Sequence, residues 1–87
     1  MSIVPQEGKV VVKVSAEWCS PCKALAKIIE ETELGIPLIE VDLDANSEFA
    51  ENHRVRGVPT LILFKDGEEV SRKVGLITAA QLKDFIR

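Results

Sequence analysis

An α/β domain is predicted, with helices on both faces of a four-stranded sheet. Three observations predict it. Two Val- and Ile-rich runs flank a stretch whose apolar residues recur at helical spacing, which is the pattern of a βαβ unit. An Asp66-Gly67 pair then joins two further strand-like runs. A last apolar stripe at Ala79, Leu82, Phe85 and Ile86 closes the chain.

Each element has a local reason. The first strand, Lys9 to Ser15 ("KVVVKVS"), is rich in β-branched residues, which pack well on a pleated sheet. Cys19 or Ser20 caps the helix that follows. Pro21 falls in its first turn, where a missing N–H costs nothing. Ala24, Leu25, Ile28 and Ile29 form its apolar face until the Gly35-Ile36-Pro37 break. Residues 37–43 ("PLIEVDL") read as the second strand. Asn46 or Ser47 caps a short helix containing Phe49 and Ala50. Gly57-Val58-Pro59 interrupts the chain before the third strand, "TLILF". The turn at Lys65-Asp66-Gly67-Glu68 leads into "EVSRKV", and Thr78 caps the last helix. The order is β-α-β-α-β-β-α. A right-handed crossover makes the first two strands parallel, and the hairpin adds antiparallel ones.

Composition narrows the function. At 87 residues, 46% hydrophobic and 29% charged, the chain suits one soluble domain rather than a disordered segment. With a net charge of −3 and scattered Lys and Arg, no nucleic-acid surface is expected. The start, "MSIVPQEGKVVVKV", lacks a basic leader and a small-residue cleavage site, so neither a signal peptide nor a membrane span is read. A reducing, cytoplasmic setting is expected, where a close cysteine pair is catalytic or metal-binding rather than structural.

That pair lies in "WCSPC", which holds both cysteines and the only tryptophan. Cys19 falls at the first turn of the helix, where free N–H groups and the helix dipole stabilise a thiolate. Cys22 sits one turn later on the same face, and a thiol that attacks a disulfide needs such a neighbour to resolve the mixed disulfide. A zinc site would need four ligands, and only His53 remains beside the thiols. A structural crosslink would close too small a loop to constrain much entropy. The redox reading is preferred, with no metal.

The match extends beyond the cysteines. "AEWCSPCK", "VRGVPTLILFKDGEEV" and "KVGLITAAQLKDFI" together resemble the thioredoxin family, over nearly everything from Lys9 onward. The resemblance implies a thioredoxin-like fold and a protein-disulfide reductase. Cys19 would be the exposed attacking thiol and Cys22 the buried resolving thiol. Val58-Pro59 would be a cis bond facing them, its backbone pairing with an extended substrate segment. Trp18, Pro21, Val58 and the Val74-Gly75 loop would form a shallow apolar groove. The implied partners are disulfide-containing proteins and a thioredoxin reductase that draws electrons from NADPH, with no bound cofactor and a monomeric protein.

Three departures from the family matter. Members usually carry a strand and a helix before the segment matching "VVVKV". Here about eight residues precede it, so the expectation is a truncated domain over 1–87 with strand order 2-1-3-4 and an open edge on the second strand. Lys13 stands where the family usually has a buried aspartate, and Glu40 where it usually has a lysine. One expectation is an inverted ion pair beneath the site, with Glu40 or a neutral Lys13 handling the Cys22 proton. The other is that Lys13 reaches solvent past the small Ser15. Ser20 replaces the usual glycine between the cysteines. With Pro21 kept and no histidine in the loop, a reductant is expected.

Two other functions are weighed. One is a binding module or accessory subunit whose role is independent of redox chemistry. The other is a glutaredoxin-like enzyme, disfavoured by the proline after Ser20 and by the lack of an aromatic within the CxxC. His53 reads as a solvated residue at a helix end without a catalytic role. Asp42 and Asp44 alone do not make a calcium site.

Overall fold

The structure is a computed structural model, described over residues 3–87. Within these residues the elements are β1 (Lys9–Ser15), α1 (Ser20–Glu31), β2 (Leu38–Asp42), α2 (Ser47–Asn52), β3 (Thr60–Lys65), β4 (Glu68–Val74) and α3 (Ala79–Phe85). The sheet order is β2-β1-β3-β4, with β1 and β2 parallel and the other pairs antiparallel. This is the predicted order. Among the described residues β2 is hydrogen-bonded to β1 on one side only.

Period-two alternation divides the core between the two faces. Val10, Val12 and Val14 of β1 and Ile62 and Phe64 of β3 pack with Phe49 of α2. Val11, Leu61 and Leu63 face the other way, against Leu25 and Ile29 of α1 and Leu82 and Phe85 of α3. Lys13 shares the α1 face with Val11, and the parallel register sets it beside Glu40. The buried stretch of β1, residues 10–14, is therefore apolar on both sides except for Lys13.

Helix ends follow local chemistry. Thr78 and Gln81 form a reciprocal capping box, with N–H to side-chain oxygen distances of 2.9 and 3.1 Å. Ile77 just before the cap and Leu82 in the second turn lie in the same cluster, which fixes how the chain enters α3. The Asp66-Gly67 turn has φ of 52° and 86°, the positive values that a two-residue hairpin turn needs. The Asp66 carboxylate also accepts the Gly8 N–H at 2.8 Å, tying the turn to the start of β1.

Four local expectations are corrected. Ala24 and Ala79 are exposed, because the buried faces of their helices run through Cys22, Leu25 and Ile29 and through Leu82 and Phe85. The second strand is shorter than residues 37–43. Its ladder ends at Asp42, where the chain turns toward α2. Asn46 occupies the cap position of α2 without a side-chain cap bond, because its amide instead donates to the Asp42 carbonyl at 3.1 Å. His53 is half-buried rather than solvated, its ring 4.3 Å from that of Phe49 and 5.5 Å from that of Phe64.

Arg72 of β4 ties the hairpin to the end of α2. Its guanidinium donates to both oxygens of Glu69, at 2.6 and 2.7 Å, and to the carbonyl of His53 at 2.7 Å. The Arg72 hydrogen bonds hold the Glu69 carboxyl below its ordinary pKa. A lowered carboxyl pKa contributes stability above its unfolded value, and that contribution is lost as pH falls through the folded value. Arg72→Met is therefore expected to cost about 1 kcal/mol near neutral pH. In urea unfolding the deficit should shrink toward acid pH. A deficit that grows in acid would contradict this account.

Candidate active site

The site is assembled where β1 hands over to α1. Val14 ends the buried run of β1, Ala16 is buried, and the chain turns so that Cys19 takes the N-cap of α1. Its Sγ accepts the Cys22 N–H at 3.1 Å, doing the work usually done by a serine or aspartate oxygen. Pro21 lies in the first turn, where no intrahelical donor is lost. The two cysteines are joined as a disulfide, with Cα atoms 5.2 Å apart.

Cys19 and Cys22 pack with Ala16 into a small buried cluster, against Leu43 and Val58. Both are only 4% exposed. The expectation that Cys19 is the exposed sulfur is thus corrected for the disulfide state. An N-cap side chain points back over the first turn, which turns its sulfur inward. Helix position, not exposure, distinguishes the two sulfurs: only Cys19 receives a helix N–H and stands at the positive end of the dipole.

Of the other predicted residues, Val58 is packed on the cysteines, while Trp18, Pro21 and Val74 stay at the surface. The Val58-Pro59 peptide is cis, Val58 packs on the cysteine cluster, and Pro59 is fully buried. The Gly75 N–H donates to the Pro59 carbonyl at 2.8 Å, which brings the loop after β4 against this segment. Pro21 is exposed. Trp18 and Val74 are large apolar groups left 67% and 65% exposed.

Two residues missed in the sequence belong beside them. Asp44 accepts the Trp18 indole N–H at 3.0 Å and so fixes the orientation of an otherwise free ring. Its proximity to Trp18 has no signal in a linear sequence, since 26 residues separate them. Leu76, just after Gly75, is a third large apolar group left 52% exposed, and its signal in the sequence is an apolar residue in a glycine loop.

Behind the cysteines, Lys13 is 4% exposed and its Nζ lies 2.8 Å from Glu40 Oε1, whose side chain is 67% exposed. Lys13, Glu40 and Cys22 all line one cavity of about 340 Å³ between β1, β2 and α1. Among the described residues no group of three His, Cys, Asp or Glu side chains is placed to hold a metal ion, and no helix is long and apolar enough to cross a membrane.

A dithiol pair at a helix N-cap, set behind an X-Pro segment at the end of a mixed sheet, defines a site for thiol–disulfide exchange. The comparisons agree. The Thioredoxin family model matches residues 1–87. A thioredoxin of Buchnera aphidicola is 41% identical over 97% of this chain and 81% of its own. One of Chlamydia caviae is 49% identical over 79% and 71%. The solved structure of a thioredoxin variant from Halobacterium salinarum superposes with a TM-score of 0.84 at 40% identity, covering 92% of this chain and 73% of that one. The chain belongs to the thioredoxin family, and it is a thiol–disulfide oxidoreductase.

Proposed function

We propose that the protein reduces disulfides of other proteins in the cytoplasm, acting as a monomer over residues 1–87. The single observation that carries this is the cysteine pair, with Cys19 capping the N-terminus of α1 and Val58 packed against the cysteine cluster. Cys19 attacks a substrate disulfide as the thiolate, and Cys22 displaces the reduced substrate. The resulting Cys19–Cys22 disulfide is returned to the dithiol by a thioredoxin reductase that draws electrons from NADPH. Trp18, Pro21, Val58, Val74 and Gly75 form the substrate groove, and the backbone at Val58-Pro59 pairs with an extended substrate segment. The exposure of Trp18 and Val74 supports this, since an isolated chain gains nothing by leaving large apolar groups in water.

The test is reduction of a protein disulfide with two electron sources. Turnover is expected with a small dithiol donor and with NADPH plus thioredoxin reductase. Turnover with the dithiol alone would show that the reductase assignment is wrong. No turnover with either would overturn the function.

A further inference from the structure

Lys13 is the one charged side chain buried in this cavity. The other ionisable groups that line it are Glu17 from the loop after β1, Lys23 of α1, and Glu40 and Asp42 of β2, and all four are exposed. Exposed charges are screened by water. A charge at low dielectric acts about fourfold more strongly at the same distance. Counting charges would give this cavity three carboxylates against two cations, hence an acidic surrounding for Cys22. At equal distance from Cys22, weighting them by burial reverses the sign and makes Lys13 the strongest single contribution.

We propose that Lys13 is a positioning residue that stabilises the Cys22 thiolate through its charge, and that Glu40, paired with it at 2.8 Å, attenuates its field. The proposal rests on the reading of Cys22 as the resolving thiol. In the resolving step the Cys22 Sγ–H proton passes to solvent at the mouth of the cavity, where Glu40 is exposed. The thiolate's electron pair forms the Cys22–Cys19 bond. The bond between Cys19 and the substrate sulfur breaks, and that sulfur leaves with the pair and takes a proton from solvent. Two electrons pass from the dithiol to the substrate, and no other reactant is needed. Lys13 neither gives nor accepts a proton in this sequence.

The two members of the pair then have opposite effects. Lys13→Met keeps the buried volume, leaves only a solvated carboxylate behind, and should raise the Cys22 thiol pKa by about one unit. Glu40→Gln removes the attenuating charge and should lower it. Both are read by ultraviolet thiolate absorbance in a Cys19→Ser background, where Cys22 is the only thiol.

The reduction potential of the dithiol protein supplies a second readout. At pH values where Cys22 is protonated in both proteins, Lys13→Met and the parent should have equal potentials. Above the Cys22 pKa the variant should fall by about 30 mV for a tenfold loss of thiolate stability. A residue that only props the fold would not produce opposite shifts, or a potential difference confined to high pH.

Equal Cys22 titrations in both variants, or shifts of the same sign, would overturn the proposal. Should Lys13→Met not fold, Glu40→Gln alone decides: its change is at an exposed side chain, and an unchanged or raised Cys22 pKa sinks the idea. Disulfide reduction by the parent protein in the dithiol assay is measured alongside. Its absence would refute the exchange function, and its presence with unmoved titrations would refute only the role of Lys13.

Discussion

Cys22→Ser is expected to lose at least a thousandfold in turnover and to accumulate covalent mixed disulfides with its substrates. In the parent, the second thiol stands one helical turn from the first, so resolution is an intramolecular step. Such steps have effective concentrations far above any thiol in solution. Without it, the adduct on Cys19 waits for an external thiol. Cys19→Ser is expected to lose activity as completely and to trap nothing. The asymmetry follows from the cap: Cys19 Sγ receives the Cys22 N–H at 3.1 Å and stands at the N-cap, three residues nearer the dipole end of α1 than Cys22. Non-reducing electrophoresis of each variant after exposure to a protein disulfide checks this. Adducts on Cys19→Ser rather than Cys22→Ser would mean the two roles are reversed.

Leu25→Ala should cost about 3 kcal/mol, from the 2–5 kcal/mol typical of a fully buried leucine. Leu25 is 0% exposed, among Val11, Leu61 and Leu82. A domain of this length holds only about 4–13 kcal/mol in total, so the loss is a large share. The effect reaches the site as well, because only Cys22, Leu25 and Ile29 of α1 are buried, and the helix contains Cys22 and is capped by Cys19. The urea midpoint should drop with the slope unchanged, while Ala24→Ser on the exposed face should change stability by less than about 0.5 kcal/mol. A Leu25→Ala loss below about 1 kcal/mol would mean that α1 is held by something other than this packing.

The two variants probe different links in the same chain. One removes a reacting atom and leaves the fold alone. The other removes a methyl-rich side chain from behind the site, where packing sets the helix on the sheet and the helix sets the sulfur. Arg72 and the α3 capping box act further away still, and their loss should be visible in stability before it is visible in exchange.

Legibility in the sequence tracked how local the determining physics was. The cap at Thr78, the Asp66-Gly67 turn and the β-branched, apolar runs of β1 and β3 depend on neighbours a few residues apart, and each lies where those patterns put it. Helix faces were less legible. "ALAKII" does not say which of its apolar residues looks outward, and Ala24, on the apolar face by spacing, looks to solvent. His53 departs from a solvated helix-end residue for a different reason: the rings that flank it come from α2 and from β3, the latter eleven residues further along the chain.

What the sequence determined by itself was the element order, the turn that makes the hairpin, and the chemistry of two thiols one helical turn apart. These follow from backbone periodicity and from cysteine reactivity, which need no distant partner. The tertiary structure decided what surrounds those thiols. The parallel register of β1 and β2 puts Glu40 on Lys13, and the sheet and α1 together bury that lysine on the cavity that reaches Cys22. The turn after β2 brings Asp44 under Trp18, and the loop after β4 is tied to Pro59. Burial and contact between residues far apart in sequence set the field at a sulfur, and those exist only once the sheet has formed.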